Sequence, residues 1–230
     1  MELAAKAILV HERLVGAYGE PAWKEQRDPL SELILTILSQ NTADVNSGRA
    51  FAQLTDRFPT WEEALAAGPE AIAKAIQIGG LANVKAPRIH AILAQLARER
   101  GELSLDLLAD MPVAEARDYL LALPGVGPKT AACVLLFSLH KPAMPVDTHI
   151  HRVTRRVGLV PATASAEKAH ALLEALLPEE RYYSFHLSVI RHGRETCLAR
   201  HPRCAGCPLA DICDDRQVQL ASAASERGSF

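Results

Sequence analysis

The sequence predicts an all-α protein, and three observations support that fold class. Apolar residues recur three and four positions apart along nearly the whole chain, which is the spacing of amphipathic helices. Ala and Leu are abundant, whereas aromatic residues make up only 5% of the 230 residues, and this composition favours helices. No segment shows a convincing strand-like alternation of apolar and polar residues, and no internal repeat is present.

The predicted helices follow one another between glycine and proline residues. The first covers the amphipathic stretch that begins at Leu3, and the second opens at Asp28-Pro29, where Leu30, Leu33 and Ile34 begin a helical spacing. Further helical patterns cover residues 45–58, 61–67, 70–76, 84–99, 113–123, 129–139, 148–157, 165–177 and 180–192. The chain therefore reads as a series of short helices.

The N-terminus has no feature of a targeting segment. It interleaves charged and apolar residues, and no long apolar core or small-residue cleavage site follows. No apolar run approaches the length of a membrane span. We therefore expect a cytoplasmic protein without a membrane partner.

The charge distribution is more informative than the net charge of −2. Basic residues outnumber acidic ones in residues 129–158 and again in residues 191–204, while acidic residues elsewhere offset them. Such patches fit a protein that meets DNA on one face, although basic stretches also occur on ordinary solvated helices.

Four of the five cysteines fall within seventeen residues, at Cys197, Cys204, Cys207 and Cys213. Clustered cysteines in a chain without a secretion signal indicate a metal site rather than disulfides. Zinc sites usually pair their cysteines in two short knuckles, whereas this spacing contains one short pair flanked by longer spacers. The spacing therefore favours a [4Fe–4S] cluster, which needs one thiolate for each iron, and leaves zinc as the alternative.

A glycine-rich turn, Leu123-Pro-Gly-Val-Gly-Pro-Lys129-Thr130, separates two helical patterns. Gly125 and Gly127 permit positive φ and a close approach of the backbone to another molecule, and the unpaired amides that begin the next helix can then bind a phosphate oxygen. Turns of this kind also join ordinary helix pairs, so the specific feature is Lys129 in the first turn after the hairpin. An amine in that position is a candidate nucleophile, and the alternative is a surface lysine.

Asp147 lies in the segment Pro145-Val146-Asp147-Thr148-His149, directly before a helical pattern. The simplest role for a carboxylate in this position is that of an N-cap. The same carboxylate, held rigidly at a helix start, is also well placed to stabilise charge in a pocket.

Taken together, these motifs resemble the endonuclease III branch of the helix–hairpin–helix DNA glycosylases, from about Asp28 to Cys213. The resemblance implies two all-helical lobes with a DNA-binding cleft between them. One is a six-helix barrel formed by residues 22–135, and the other is an iron–sulfur lobe formed by residues 1–21 and 136–213. Residues 214–230 would form a flexible tail.

The resemblance also implies roles for individual residues. Lys129 and Asp147 match the family's catalytic pair. Leu81 falls where the family places an apolar wedge, with an ordinary core leucine as the alternative. The remaining matches are DNA contacts and fall at Gln40, Asn41, Gly125, Gly127, His149, Arg200 and Arg203.

The implied activity is that of a bifunctional glycosylase and abasic-site lyase. A monomer would bind double-stranded DNA at the nucleoid and remove oxidised pyrimidines. Lys129 would attack C1′ of the sugar, and β-elimination would then cut the strand. Two alternatives are a weakly active or non-catalytic iron–sulfur paralogue that binds DNA and a monofunctional mismatch glycosylase.

Overall fold

The structure is a computed structural model that describes residues 1–23 and 26–217. In these residues the regular secondary structure is entirely helical, which confirms the predicted fold class. The α-helices are α1 (Leu3–Tyr18), α2 (Pro29–Ser39), α3 (Asp44–Arg57), α4 (Trp61–Ala75), α5 (Ala82–Arg100), α6 (Val113–Leu121), α7 (Pro128–Cys133), α8 (Thr148–Val157), α9 (Ala166–Leu176) and α10 (Tyr182–Glu195). Among the described helices, none has both the length and the apolar character that a membrane span requires.

The chain divides into two compact units. The continuous unit comprises Glu25–Lys141, and the discontinuous unit comprises Met1–Lys24 with Pro142–Phe230. The divisions at 24/25 and 141/142 come a few residues after the lobe boundaries predicted at 21/22 and 135/136. Residue 135 lies inside a π-helical turn, Val134–Ser138, that directly continues α7.

The core of the continuous unit forms around α2, which packs against α3, α5 and α7. Asp28 starts this helix because its side chain accepts a hydrogen bond from the Ser31 amide at 2.8 Å, and Pro29 supplies the preferred φ of the first turn. Leu33, Ile34 and other apolar residues on one face of α2 are fully buried. This packing fixes both ends of α2, including the loop that follows it.

Two local features of this unit depart from simple helices. At Gly68 the backbone leaves the helical region (φ +80°), so α4 is kinked where the sequence predicts two separate patterns. The predicted regular helix over residues 129–139 ends instead in the π-helical turn. There the hydroxyl of Ser138 donates to the carbonyl of Arg27, and its carbonyl accepts from the side chain of Gln26.

The discontinuous unit brings the N-terminal helix to the C-terminal half of the chain. Helix α1 packs on α10, and α10 in turn packs on α8. Lys6 and Arg13 of α1 form ion pairs with Asp214 and Asp211, beyond the last helix. Of the tail predicted at 214–230, residues 214–217 form a helical turn, and the rest lies outside the described residues.

Candidate active site and metal centre

The glycine-rich turn joins α6 to α7 in the continuous unit. Gly125 has a φ of +72°, and a Cβ there would lie 2.8 Å from Cδ of Arg88, so both conformation and space favour glycine. Gly127 has a φ of −105°, and nothing lies within 4 Å of the position of a Cβ. Gly125 therefore uses the positive φ that a glycine permits, whereas Gly127 does not. At Gly127 the missing side chain leaves the backbone open to approach.

Lys129 is the second residue of α7, directly after Pro128, and its side chain is half-buried. The N-cap, Gly127, contributes no side-chain hydrogen bond to the first turn of this helix. Amide groups in a first turn have no partner within the helix, so they remain available to an external acceptor. The primary amine of Lys129 therefore lies beside backbone N–H donors, a combination suited to binding a phosphodiester.

Gln40, in the loop after α2, is held at both ends of its amide group. Its Nε2 donates to Oγ1 of Thr130 at 3.2 Å, and its Oε1 accepts from Nη1 of Arg88 at 3.2 Å. Thr130 is the residue after Lys129, and it is buried. The predicted DNA-contact residue Gln40 therefore lies beside the lysine helix, whereas its neighbour Asn41 is exposed and has a left-handed backbone (φ +52°).

Leu81 protrudes from the continuous unit. It is the N-cap of α5, has a left-handed conformation (φ +53°, ψ +30°), and is 53% exposed. A left-handed backbone disfavours a leucine by about 1–2 kcal/mol. The interpretation of Leu81 as a core leucine is therefore wrong. Of the isoleucines that precede it, Ile76 is buried and Ile78 is 38% exposed.

In the discontinuous unit, Asp147 is the N-cap of α8, as the sequence predicts. Its Oδ1 accepts a hydrogen bond from the Ile150 amide at 2.8 Å, and the carboxyl group is half-buried. The preceding segment is fixed by two buried histidines: Nδ1 of His170 bonds to the carbonyl of Met144, and Nδ1 of His186 bonds to that of Pro145. The carboxylate is consequently held by both its helix and its approach segment.

Helix α8 also anchors the chain that leads to the cysteines. Arg152 donates to the carbonyls of Gly193 and Cys197 at 2.8 and 3.1 Å and contacts Nδ1 of His149 at 3.2 Å. Thus the predicted DNA-contact residue His149 lies against this arginine. One turn later Arg156 donates to the carbonyls of Leu198 and Ala199 at 2.7 and 3.1 Å.

Four cysteines line a single cavity in this unit: Cys197, Cys204, Cys207 and Cys213. The fifth cysteine, Cys133, lies in the other unit and is buried, as a packing role predicts. The four thiolates that line the cavity are the donor set that a [4Fe–4S] cluster requires, with one thiolate for each iron.

Hydrogen-bond donors surround these sulfurs. The amide of Leu209 donates to Sγ of Cys207 at 3.4 Å, and Nη1 of Arg156 lies 3.4 Å from Sγ of Cys197. Nε2 of His192 lies 3.7 Å from Sγ of Cys207. Burial lowers the pKa of His192 to about 4, so its imidazole is neutral at neutral pH. Donors of this kind stabilise thiolate charge in a buried site.

Arg200 and Arg203 lie on the surface of the cysteine loop, and both are exposed. Arg203 donates to the carbonyl of Glu195 at 3.3 Å, whereas neighbouring His201 has a left-handed backbone (φ +53°). Both guanidinium groups are therefore accessible from solvent at a loop whose backbone is fixed from within.

Sequence reasoning missed several residues that shape these sites. Arg152 and Arg156 were seen only as part of a basic stretch, although their spacing of four places them on one face of α8. Lys85 shares the helical spacing of the buried Ile89 and Ile92, a signal that a lysine lies on an apolar face. No sequence pattern distinguished Arg88, which holds the side chain of Gln40.

Comparison with known proteins decides the family. The model of the HhH-GPD superfamily of base excision DNA repair proteins matches residues 34–179, more than half of the chain. This protein belongs to the HhH-GPD superfamily. A second model, the iron–sulfur binding domain of endonuclease III, matches residues 197–213 of this HhH-GPD protein. Its cofactor is a [4Fe–4S] cluster.

Endonuclease III of Thermotoga maritima is 36% identical to the HhH-GPD protein over 194 residues, covering 84% of this chain and 86% of that protein. The fold is also similar to a solved structure of a non-covalent endonuclease III–DNA complex, with a TM-score of 0.82 and 26% identity over 96% of this chain and 100% of that one. A candidate DNA glycosylase of Arabidopsis thaliana is 41% identical over 74% of this chain, which spans only 58% of the plant protein's length.

Proposed function

We propose that this HhH-GPD protein is a bifunctional DNA glycosylase and abasic-site lyase that removes oxidised pyrimidines from double-stranded DNA. The observation that carries the proposal is Lys129, a half-buried amine in the first turn of the helix that follows the glycine hairpin. Similarity to endonuclease III supports the substrate class. The proposed substrate associates the protein with the nucleoid, and a monomer suffices for the reaction.

In the proposed reaction, the amine of Lys129 attacks C1′ of the damaged nucleotide, and the base leaves with the electrons of the glycosidic bond. Loss of a proton from nitrogen and opening of the sugar ring leave a Schiff base between lysine and sugar. Removal of a proton from C2′ then expels the 3′ phosphate by β-elimination. The nucleotide must first leave the stack, at an unstacking cost of about a few kcal/mol.

Asp147 is proposed to stabilise the positive charge that develops on the sugar as the base departs. Its carboxylate suits this role because the Ile150 amide and the buried approach segment fix its position before substrate binds. A charge that is already oriented stabilises a transition state without a further cost of reorganisation.

The cluster is proposed to be held by Cys197, Cys204, Cys207 and Cys213. When bound, it supplies rigid cross-links between the segments that carry its four ligands. Arg200 and Arg203 on this loop are proposed to contact DNA phosphates, and the hairpin glycines Gly125 and Gly127 to present backbone amides to another phosphate. His149, beside Arg152, is proposed as a further DNA contact.

Two exposed positions are proposed to replace the extruded nucleotide in the stack. Leu81 supplies an apolar side chain that is 53% exposed, and insertion between bases would remove its surface from water. Asn41, exposed on the neighbouring loop, supplies amide groups for the unpaired base, while Gln40 fixes that loop to Thr130.

The decisive experiment traps the Schiff base with borohydride, which reduces it to a permanent protein–DNA crosslink. Lys129→Gln keeps the length and the hydrogen bonding of the side chain but removes the nucleophile, so trapping should vanish while duplex binding persists. The matched control is Lys74→Gln, which removes an exposed lysine of the same unit and should leave trapping unchanged.

The outcomes separate the alternatives. An undiminished crosslink in the Lys129→Gln protein would mean that another amine attacks the sugar. Base release by the wild-type protein without any crosslink would indicate a monofunctional glycosylase. Tight duplex binding with neither product would indicate a non-catalytic paralogue.

A further inference from the structure

Lys85 is almost fully buried, with only 2% of its surface exposed. Its Nζ donates three hydrogen bonds, to the carbonyl of Leu38 at 2.6 Å, to Oγ1 of Thr42 at 2.6 Å and to the carbonyl of Gly79 at 3.1 Å. An ammonium group has three N–H donors, so all of them are satisfied. A buried charge of this kind is stable only with such a complete set of partners.

The three acceptors belong to two segments that are distant in sequence, the end of α2 with its following loop and the segment before α5. Leu38 is in the last turn of α2 and Thr42 is in the loop after it, whereas Gly79 lies in the loop that precedes α5. Thr42 strengthens the link, because its hydroxyl also donates to the carbonyl of Gly79 at 2.6 Å. One ammonium group thus ties both loops to each other and to the negative end of the α2 dipole.

Each of these loops displays an exposed residue with a left-handed backbone, which is unfavourable for Leu81. Asn41 (φ +52°) lies one residue before Thr42, and Leu81 (φ +53°) lies two residues after Gly79. Left-handed conformations of non-glycine residues persist only where the surrounding structure enforces them. The hydrogen bonds of Lys85 join the segment that contains Asn41 to the segment that contains Leu81.

We propose that Lys85 is a positioning residue that locks the Asn41 loop and the Leu81 loop into one rigid element for entry into the DNA stack. The inference rests on the proposed function of Asn41 and Leu81. Lys85 touches neither the sugar nor the base. It acts by fixing the distance between the two inserting side chains before DNA binds.

A measurement without DNA tests whether Lys85 holds the two loops together, an arrangement called the clamp below. Lys85→Met fills a similar volume but leaves the Leu38 carbonyl without its donor and removes one of the two donors to the Gly79 carbonyl. We expect hydrogen exchange of the amides of Gln40, Thr42, Gly79 and Gly80, which are all hydrogen-bonded in the folded protein, to accelerate about tenfold or more. Lys74→Met, at an exposed position, is the matched control. Unchanged exchange in the Lys85→Met protein overturns the proposal.

A double-mutant cycle tests the coupling to catalysis. Lys85→Met should slow base release from paired lesions by about 10- to 100-fold, since small misplacements have effects of this size. Cleavage at preformed abasic sites should change much less. In a Leu81→Ala background, Lys85→Met should slow base release by a much smaller factor, because both substitutions disable the same insertion step. Fully additive effects, or an equal loss at paired lesions and abasic sites, would show a merely structural role.

Thr42→Val provides a milder variant if Lys85→Met does not fold. It removes the hydroxyl that joins Lys85 to Gly79 and preserves the shape of the side chain. The same acceleration of exchange is expected at the same amides, to a smaller extent, and its absence would count against the clamp. If the wild-type protein releases no base, the proposed function fails, whereas the exchange measurement still decides whether Lys85 locks the loops.

Discussion

Replacement of Leu81 by alanine separates a DNA-inserting side chain from a structural one. The change removes about three carbon groups, each worth about 0.8 kcal/mol when buried. Because Leu81 is already 53% exposed, only about half of this contribution, roughly 1 kcal/mol, stabilises the folded protein. The backbone remains left-handed in either protein. The melting temperature of the Leu81→Ala protein should therefore fall by only a few degrees.

On DNA, the exposed half of the side chain becomes buried between bases. Loss of this buried contact should then destabilise the extruded state by about another 1 kcal/mol, which corresponds to roughly five- to tenfold slower base release. Cleavage at a preformed abasic site should slow less, because that substrate has no base to extrude. Single-turnover assays on matched duplexes measure both rates.

Val45→Ala is the control for this experiment, because Val45 is an apolar residue of the same unit that is 65% exposed. It should change neither rate. A large drop in the melting temperature of the Leu81→Ala protein, with both rates falling together, would refute the assignment of Leu81 as a wedge. Equal effects of the two alanine substitutions would refute it as well.

Three further predictions concern the charged residues and the cluster. Asp147→Asn should keep the helix cap and leave the melting temperature unchanged, because asparagine caps a helix about as well as aspartate. It should nevertheless slow base release by about two to four orders of magnitude in a single-turnover assay. An unchanged rate would leave Asp147 with a purely structural role. Arg200→Ala should weaken binding to all duplexes alike and make the salt dependence shallower by roughly one unit of slope, and loss for a single lesion would instead indicate base recognition. Anaerobically prepared protein should contain about four irons per chain and absorb broadly near about 400 nm, whereas stoichiometric zinc without iron would contradict the cluster.

The helices were predictable because each buries one face. Local sequence signals located α8 at its observed bounds, Thr148–Val157, because a capping residue, the apolar spacing and a terminal glycine all agree there. They failed at residues 134–138, where a π-helical turn replaces regular helix. That turn is held by contacts with Arg27 and Gln26, more than a hundred residues earlier in the chain, and no local pattern encodes such a contact.

The candidate site likewise contains residues that local sequence signals identify and residues whose role depends on long-range contacts. Lys129 and Asp147 were found because their positions relative to a hairpin and a helix start are local features. The role of Lys85 depends on a carbonyl 47 residues away and on two loops that only the folded unit brings together. The left-handed backbone of Leu81 likewise could not be predicted from the sequence, since a leucine disfavours that conformation.

The discontinuity of one unit imposes an order on synthesis. Helix α1 leaves the ribosome before the rest of its unit, and its packing partner α10 and the last cysteine, Cys213, emerge nearly two hundred residues later, a delay of about 10–40 s at the usual rates of translation. Glu25–Lys141 is complete well before then. During that interval the apolar face of α1, which includes Val10 and Leu14, lacks its packing partner α10. We therefore expect α1 to be a site of aggregation or chaperone capture in the nascent chain until α10 has been made.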